Sequence, residues 1–350
     1  MQKKYLILTA SYGSGHNVAR DNISNYLREK WDIVESIDLT DLLKKWWDNS
    51  RKFYAFSEKI PFLWDATFNL LDQEFTNELL NLLFKSVYQK KFNEIIDEFN
   101  PDYVICTFPN WPVFIRNYTL KNKKTFKSAV IITDAIEIGM PWFYGCENID
   151  YFFVIDDFSN KEFKRKFNHI KNNVFTSFFP VETKHFLDKK AIKNENISIL
   201  LTWLKKPFIV KLLELLKKED FYNEINIIKW RNTKLFTSLK KEVKNKRIKY
   251  WDFIDIKENL KNIDIFIAKP GWAIMSECIA SDVPIISPSF IPGQEEWNIR
   301  LMEKAWLWIY ENDPEKVVFY LKYLDFNKFL PNFKKIKKEN AIEFIVEKLK

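Results

Sequence analysis

The chain has 350 residues, 47% hydrophobic and 29% charged; the length favours two domains of roughly 150–200 residues, and the composition excludes a disordered chain. No stretch approaches the roughly 18–20 uncharged apolar residues of a membrane span, and three scattered cysteines with three histidines exclude a disulfide framework, a CxxC zinc site and an HExxH pair. The net charge of +8 suits an anionic partner, whether nucleic acid, an anionic membrane surface or a phosphorylated substrate.

Met1-Gln2-Lys3-Lys4 and the apolar run Tyr5–Ala10 are too short for a signal peptide and lead into Ser-Tyr-Gly-Ser-Gly-His, so a mature cytoplasmic N-terminus is expected. Tyr5–Ala10 reads as a strand, the segment through Ala19, Ile23, Tyr26 and Leu27 as a helix, and Asp32–Asp38 as a second strand. Strand, glycine turn, helix, strand is a βαβ unit, which predicts a parallel sheet covered by helices. Further strands are predicted at Tyr103–Thr107, Ser128–Thr133 and Tyr151–Ile155. The polar, lysine-rich region 180–196 is the best linker, and the second half repeats the alternation with strands at Ile197–Thr202, Ile225–Lys229, Asp264–Ala268 and Pro284–Ser287. From Pro331 the tail reads as a basic amphipathic helix. The whole predicts an α/β protein with two Rossmann-like domains, divided near residues 187/188, their parallel sheets facing a central cleft.

Two segments carry chemistry. Gly13-Ser14-Gly15 sits where the first strand feeds a helix, and glycines there let the backbone turn tightly while helix-start amides attract anions. As a dinucleotide fingerprint the turn is incomplete, since Val18 stands where a third small residue belongs; Asp38 at the end of the second strand keeps a nicotinamide alternative open. His16 follows the turn at the strand's carboxyl end, as a helix cap or as a general base. In the second half a strand ends at Lys269, Pro270-Gly271 turns the chain, and a helix begins whose first amides suit a diphosphate. Glu277, about a turn and a half along, suits ribose hydroxyls. Pro292-Gly293-Gln294-Glu295 then offers an amide and a carboxylate suited to sugar hydroxyls.

Thr9–Ala19, Lys269-Pro270-Gly271 with Ser276-Glu277, and Pro292–Asn298 together resemble the monogalactosyldiacylglycerol synthase and processive diacylglycerol glucosyltransferase family. Pro61–Trp64, Pro101-Asp102, Thr133-Asp134 with Trp142, Phe179-Pro180-Val181 and Arg231-Asn232 before Leu235 extend the resemblance over nearly the whole chain. It implies a GT-B fold, with acceptor on the N-terminal domain (1–187), UDP-sugar on the C-terminal one (188–332), and a C-terminal helix (333–350) returning to the first. The implied reaction is inverting transfer of a hexose from UDP-glucose or UDP-galactose to diacylglycerol or a related membrane lipid, with no bound cofactor or metal. His16 would be the base, with Asp134 competing for that role. Gly13, Ser14 and Gly15 would form the acceptor or phosphate turn. Arg231, Asn232, Lys269, Pro270, Gly271, Glu277, Gln294, Glu295 and Asn298 would hold the donor. The enzyme would act at the inner face of the cell membrane, with no nucleic-acid partner. The basic and aromatic segment from Leu43 to Trp64 suits an anionic membrane surface or an ordinary helix pair. Asp156-Asp157 reads as a solvated helix start.

One departure is compositional. Glycine occurs 6 times, where about 7% would give roughly 24, and tryptophan 13 times. Where the family has glycine, the chain has Trp230, Trp272 and, near a later glycine, Trp306; Trp203 stands in the family's glycine-rich loop. A tryptophan cannot replace a glycine needed for close backbone approach or positive φ. Either the chain is a non-catalytic relative, or some of these positions are UGA codons read as glycine in the cell.

Overall fold

The computed structural model describes residues 2–11, 14–38, 70, 72–135, 138–167, 173–189, 191–202, 204–230, 232–252, 254–291 and 294–350, except the side chains of 74, 80, 83–87 and 294. The chain divides into two compact units: Met1–Glu182 with Pro292–Gln294 and Asn340–Lys350, and Thr183–Ile291 with Glu295–Glu339. The segment from Leu43 to Trp64 lies outside the described residues.

The first unit holds strands β1 (Lys4–Thr9), β2 (Ile33–Asp38), β3 (Tyr103–Cys106), β4 (Lys127–Ile131), β5 (Tyr151–Val154) and β6 (Val174–Thr176). They form one parallel sheet in the order β2-β1-β3-β4-β5-β6. Around it lie helices α1 (Gly15–Glu29), α2 (Glu74–Phe99), α3 (Trp111–Thr119) and α4 (Asp157–Lys166). Alternate strand residues face opposite sides, and both sides are buried. Leu6, Leu8, Val104, Cys106 and Val130 pack with Phe92 and Ile96 of α2 and Trp111 and Phe114 of α3. On the other face Tyr5, Ile7, Ile105 and Ile131 pack with Ile23 and Leu27 of α1. Burial of both faces is why the strands read as continuous apolar runs.

The second unit has β7 (Asn196–Leu200), β8 (Glu224–Ile228), β9 (Ile248–Trp251), β10 (Ile265–Ile267), β11 (Ile285–Ser287) and β12 (Trp308–Tyr310). Its parallel order is β12-β11-β10-β7-β8-β9, the doubly wound Rossmann arrangement. Its helices are α5 (Lys206–Leu216), α6 (Thr233–Glu242), α7 (Ile256–Asn259), α8 (Trp272–Ala280), α9 (Gln294–Ala305), α10 (Pro314–Tyr323) and α11 (Leu330–Ile336). A last helix, α12 (Ala341–Leu349), carries Ile342, Ile345, Val346 and Leu349 into the core of the first unit beside Tyr5 and Ile7. Among the described residues no helix is long and apolar enough to cross a membrane.

Two expectations need correction. The basic tail is two helices, not one: the buried Lys337 side chain turns inward to the Leu187 carbonyl at 2.6 Å and to Asp282 Oδ1 at 2.9 Å, and its extended backbone ends α11. The polar region 180–196 holds the boundary between the two units, between Glu182 and Thr183, and is hydrogen-bonded beyond it. Leu187 N donates to the Ala280 carbonyl, Lys189 N to Asp282 and Ile192 N to Asn327. Asp156 caps α4 by accepting from Phe158 N and Ser159 N, yet it is buried, not solvated, and burial raises its pKa.

Candidate functional site

In an open parallel sheet, ligands bind outside the carboxyl ends of strands where the strand order reverses. In the first sheet that point lies between β1 and β3, and His16 sits there in the first turn of α1. Its Nδ1 lies 2.8 Å from the carbonyl oxygen of Thr107, just after β3, and 3.1 Å from Thr133 Oγ1, just after β4. A carbonyl only accepts, so Nδ1 carries the proton and Nε2 keeps its lone pair. The ring meets Phe108 edge-on with centroids 5.0 Å apart, and Trp142 lies at 6.0 Å. Burial lowers the His16 pKa below its ordinary value; the Asp134 carboxylate, the Thr107 carbonyl and Asp38 oppose this without overcoming it. The imidazole is therefore neutral at neutral pH, with Nε2 an acceptor. Asp134 is oriented by Trp142, whose indole Nε1 donates to Oδ2 at 2.5 Å.

The turn before α1 is braced by polar side chains. Asp38 accepts from Ser11 N at 3.2 Å and from Ser11 Oγ, and Asn17 Nδ2 donates to Ser11 Oγ at 2.9 Å. Asp38 thus holds the loop, which takes away the carboxylate that the nicotinamide alternative needed for a ribose. Gly13 lies outside the described residues. Ser14 is the N-cap without a side-chain capping bond, and a Cβ built on Gly15 meets nothing within 4 Å. The glycine is not required by packing.

The second reversal lies between β7 and β10, and the Lys269–Asn298 constellation gathers at its carboxyl edge. Lys269 Nζ pairs with Glu295 Oε1 at 2.5 Å, and Glu295 Oε2 accepts from Ile291 N at 2.8 Å. The buried Asn298 donates from Nδ2 to the Pro270 carbonyl at 2.7 Å. Gly271 caps α8, and its φ of −80° is open to any residue; a Cβ there meets Glu295 Oε1 at 3.6 Å, an ordinary contact. Glu277, buried on α8, lies 3.6 Å from Lys257 Nζ. Asn232 caps α6, accepting from Leu235 N at 3.1 Å; Arg231 and the Gln294 side chain lie outside the described residues. Thr202 Oγ1, Ser287 Oγ, Asn298 Oδ1 and Trp272 Nε1 are buried without a hydrogen-bond partner among the described residues.

Sequence reasoning missed Thr107, which orients His16 through a backbone carbonyl and so leaves no side-chain signal. Thr202 and Ser287 were also missed; only their positions just past or at the end of strands could have marked them.

Residues 16–181 match the family described as monogalactosyldiacylglycerol (MGDG) synthase. The processive diacylglycerol β-glucosyltransferase of Bacillus subtilis is 25% identical, over 99% of this chain and 94% of its own length. Among solved structures, MurG of Acinetobacter baumannii superposes with a TM-score of 0.63 at 11% identity, covering 99% of each chain. LpCGTa in complex with UDP gives 0.60 at 10% identity, covering 100% of this chain and 99% of its own. The fold is GT-B, and the chain carries MGDG synthase family sequence across residues 16–181 while resembling the diacylglycerol glucosyltransferases over nearly its whole length.

Proposed function

We propose that the protein is an inverting glycosyltransferase moving a hexose from UDP-glucose or UDP-galactose to diacylglycerol or a related membrane lipid. The observation that carries this reading is His16, a buried neutral imidazole with Nδ1 tied to Thr107 and Nε2 left basic at a strand-order reversal. Nε2 takes the proton of the acceptor hydroxyl while its oxygen attacks the anomeric carbon and the bond to the diphosphate breaks. The start of α8 and Lys269 offset the charge on the leaving diphosphate. Glu277 accepts from the ribose, and the Thr202, Ser287 and Asn298 oxygens, buried without a partner among the described residues, are further acceptors in the second unit. Acceptor binding belongs to the first unit and donor binding to the second.

The relatives' names support the lipid acceptor, and UDP bound to LpCGTa supports the donor class. The protein works as a peripheral enzyme at the inner face of the membrane, held by the basic and aromatic segment from Leu43 to Trp64 and not by nucleic-acid contacts. Incubating it with each UDP-hexose and diacylglycerol vesicles should yield a hexosyl lipid with inverted anomeric configuration. Vesicle binding should rise with anionic lipid and fall with salt, because screening acts within about 8–10 Å. Donor binding by calorimetry with no lipid product would instead favour a non-catalytic nucleotide-sugar-binding relative, the reading that Trp272 at the start of α8 supports.

A further inference from the structure

The nine described tryptophans fall into different physical classes. Trp111 and Trp142 are fully buried and hydrogen-bonded: their indole N–H groups reach the Thr9 carbonyl at 2.8 Å and Asp134 at 2.5 Å. Trp31 and Trp306 are the opposite, with 83% and 74% of their surface exposed. Both also have left-handed backbones, φ 65° and 51°. A bulky side chain at such a φ is a genuine outlier, because its Cβ crowds the carbonyl that follows.

Both lie in the same motif. At the end of α1, Trp31 N donates to the Arg28 carbonyl at 3.0 Å and Asp32 N to the Leu27 carbonyl at 3.1 Å. At the end of α9, Trp306 N donates to Glu303 at 3.1 Å and Leu307 N to Met302 at 3.0 Å. These paired bonds, spanning three and five residues, are a Schellman helix stop, whose left-handed residue is usually glycine. Two other left-handed helix stops among the described residues obey the rule. After α8 the same pair of bonds forms around Asp282 (φ 54°), and Asn100 (φ 46°) closes α2; Asp and Asn tolerate this region. Among the described left-handed helix stops only the two exposed indoles break it, and solvent offers them no packing to offset the strain.

We infer that positions 31 and 306 are glycine in the protein's native cell, encoded by UGA codons that the sequence above renders as tryptophan. The surplus of 13 tryptophans over 6 glycines supplies the compositional half of the argument; the two helix stops supply the geometric half, without reference to any substrate or activity. The fully packed Trp111 and Trp142 are genuine tryptophans on the same grounds.

The test joins the gene to the protein. The gene should carry UGA at 31 and 306 and UGG at 111 and 142. In the full chain, Trp31→Gly and Trp306→Gly should each raise Tm by about 2–4 °C, whereas Trp111→Gly should lower it by roughly 10 °C. UGG at 31 or 306 overturns the inference, and so does a Trp31→Gly, Trp306→Gly double variant no more stable than the chain as written.

Discussion

The two strand-order reversals are built alike and filled differently. At the first, Thr9, Ser11, Asn17 and Asp38 brace the turn, and a single carbonyl fixes the tautomer of His16; Thr107 Oγ1 is the buried polar atom there without a partner among the described residues. At the second, Thr202, Ser287, Asn298 and Trp272 each bury a polar atom without a partner among the described residues. An unsatisfied buried group costs about 1–3 kcal/mol, so the second site carries more of this cost than the first, where Thr107 Oγ1 alone of the described atoms bears it. At the first site the described polar side chains largely satisfy one another. The second is poised to gain partners, and a tryptophan stands at its helix start.

The sharpest break in that comparison comes from removing His16, the proposed base of the first site. His16→Ala should lower kcat by about two orders of magnitude or more, within the 10²–10⁴-fold range of positioned bases. UDP affinity by calorimetry should stay near normal. Near-normal turnover in the variant would move the base to Asp134 and leave His16 a packing residue.

The second site should respond in affinity. Glu277→Ala is expected to weaken UDP-sugar binding by about 1–3 kcal/mol, through loss of charge-assisted bonds to the ribose. Lys257 stays part-exposed and solvated in the variant, so folding should survive; an unchanged affinity would put the ribose elsewhere. Trp272→Gly should act in the opposite sense. Its indole, next in sequence to Gly271, is buried with an N–H that finds no partner among the described residues, and removing it should tighten UDP binding about tenfold, roughly 1.4 kcal/mol. Weaker binding in that variant would show that the indole supports the site rather than crowding it.

Much of this was legible in the sequence, and the gaps have physical causes. The strands that end at the sites were found because burial on both faces makes them unbroken apolar runs. Strands β6, β9 and β12 escaped: they have only three or four residues, all three are sheet edges with one neighbour each, and Lys249 and Tyr250 break the apolar run of β9. The tail reads as a single helix because composition reports polarity, not partners. Lys337 is a lysine whose side chain the fold draws inward onto Asp282 and the Leu187 carbonyl, as it draws the Lys189 side chain onto the Ile263 carbonyl. His16 could be singled out by its glycine turn. Its protonation state could not, since Thr107 is 91 residues away and acts through backbone.

The smallest effect is also the most specific to the first site. Burial lowers the folded-state pKa of His16 below its ordinary 6.5. Above that value the imidazole is neutral in both folded and unfolded chains, and stability does not depend on it. Below it, the unfolded chain takes up a proton that the folded chain refuses. The unfolded state then binds more protons, and stability falls as pH falls. The loss should run from about pH 6.5 down to the lowered folded value and then level off. His16→Gln removes the titrating group, so its denaturant midpoint should change less steeply with pH across that window than that of the unaltered chain. Equal slopes would mean that the imidazole is solvated enough to titrate normally, and the neutral-base assignment would lose its electrostatic support even if His16→Ala abolished turnover.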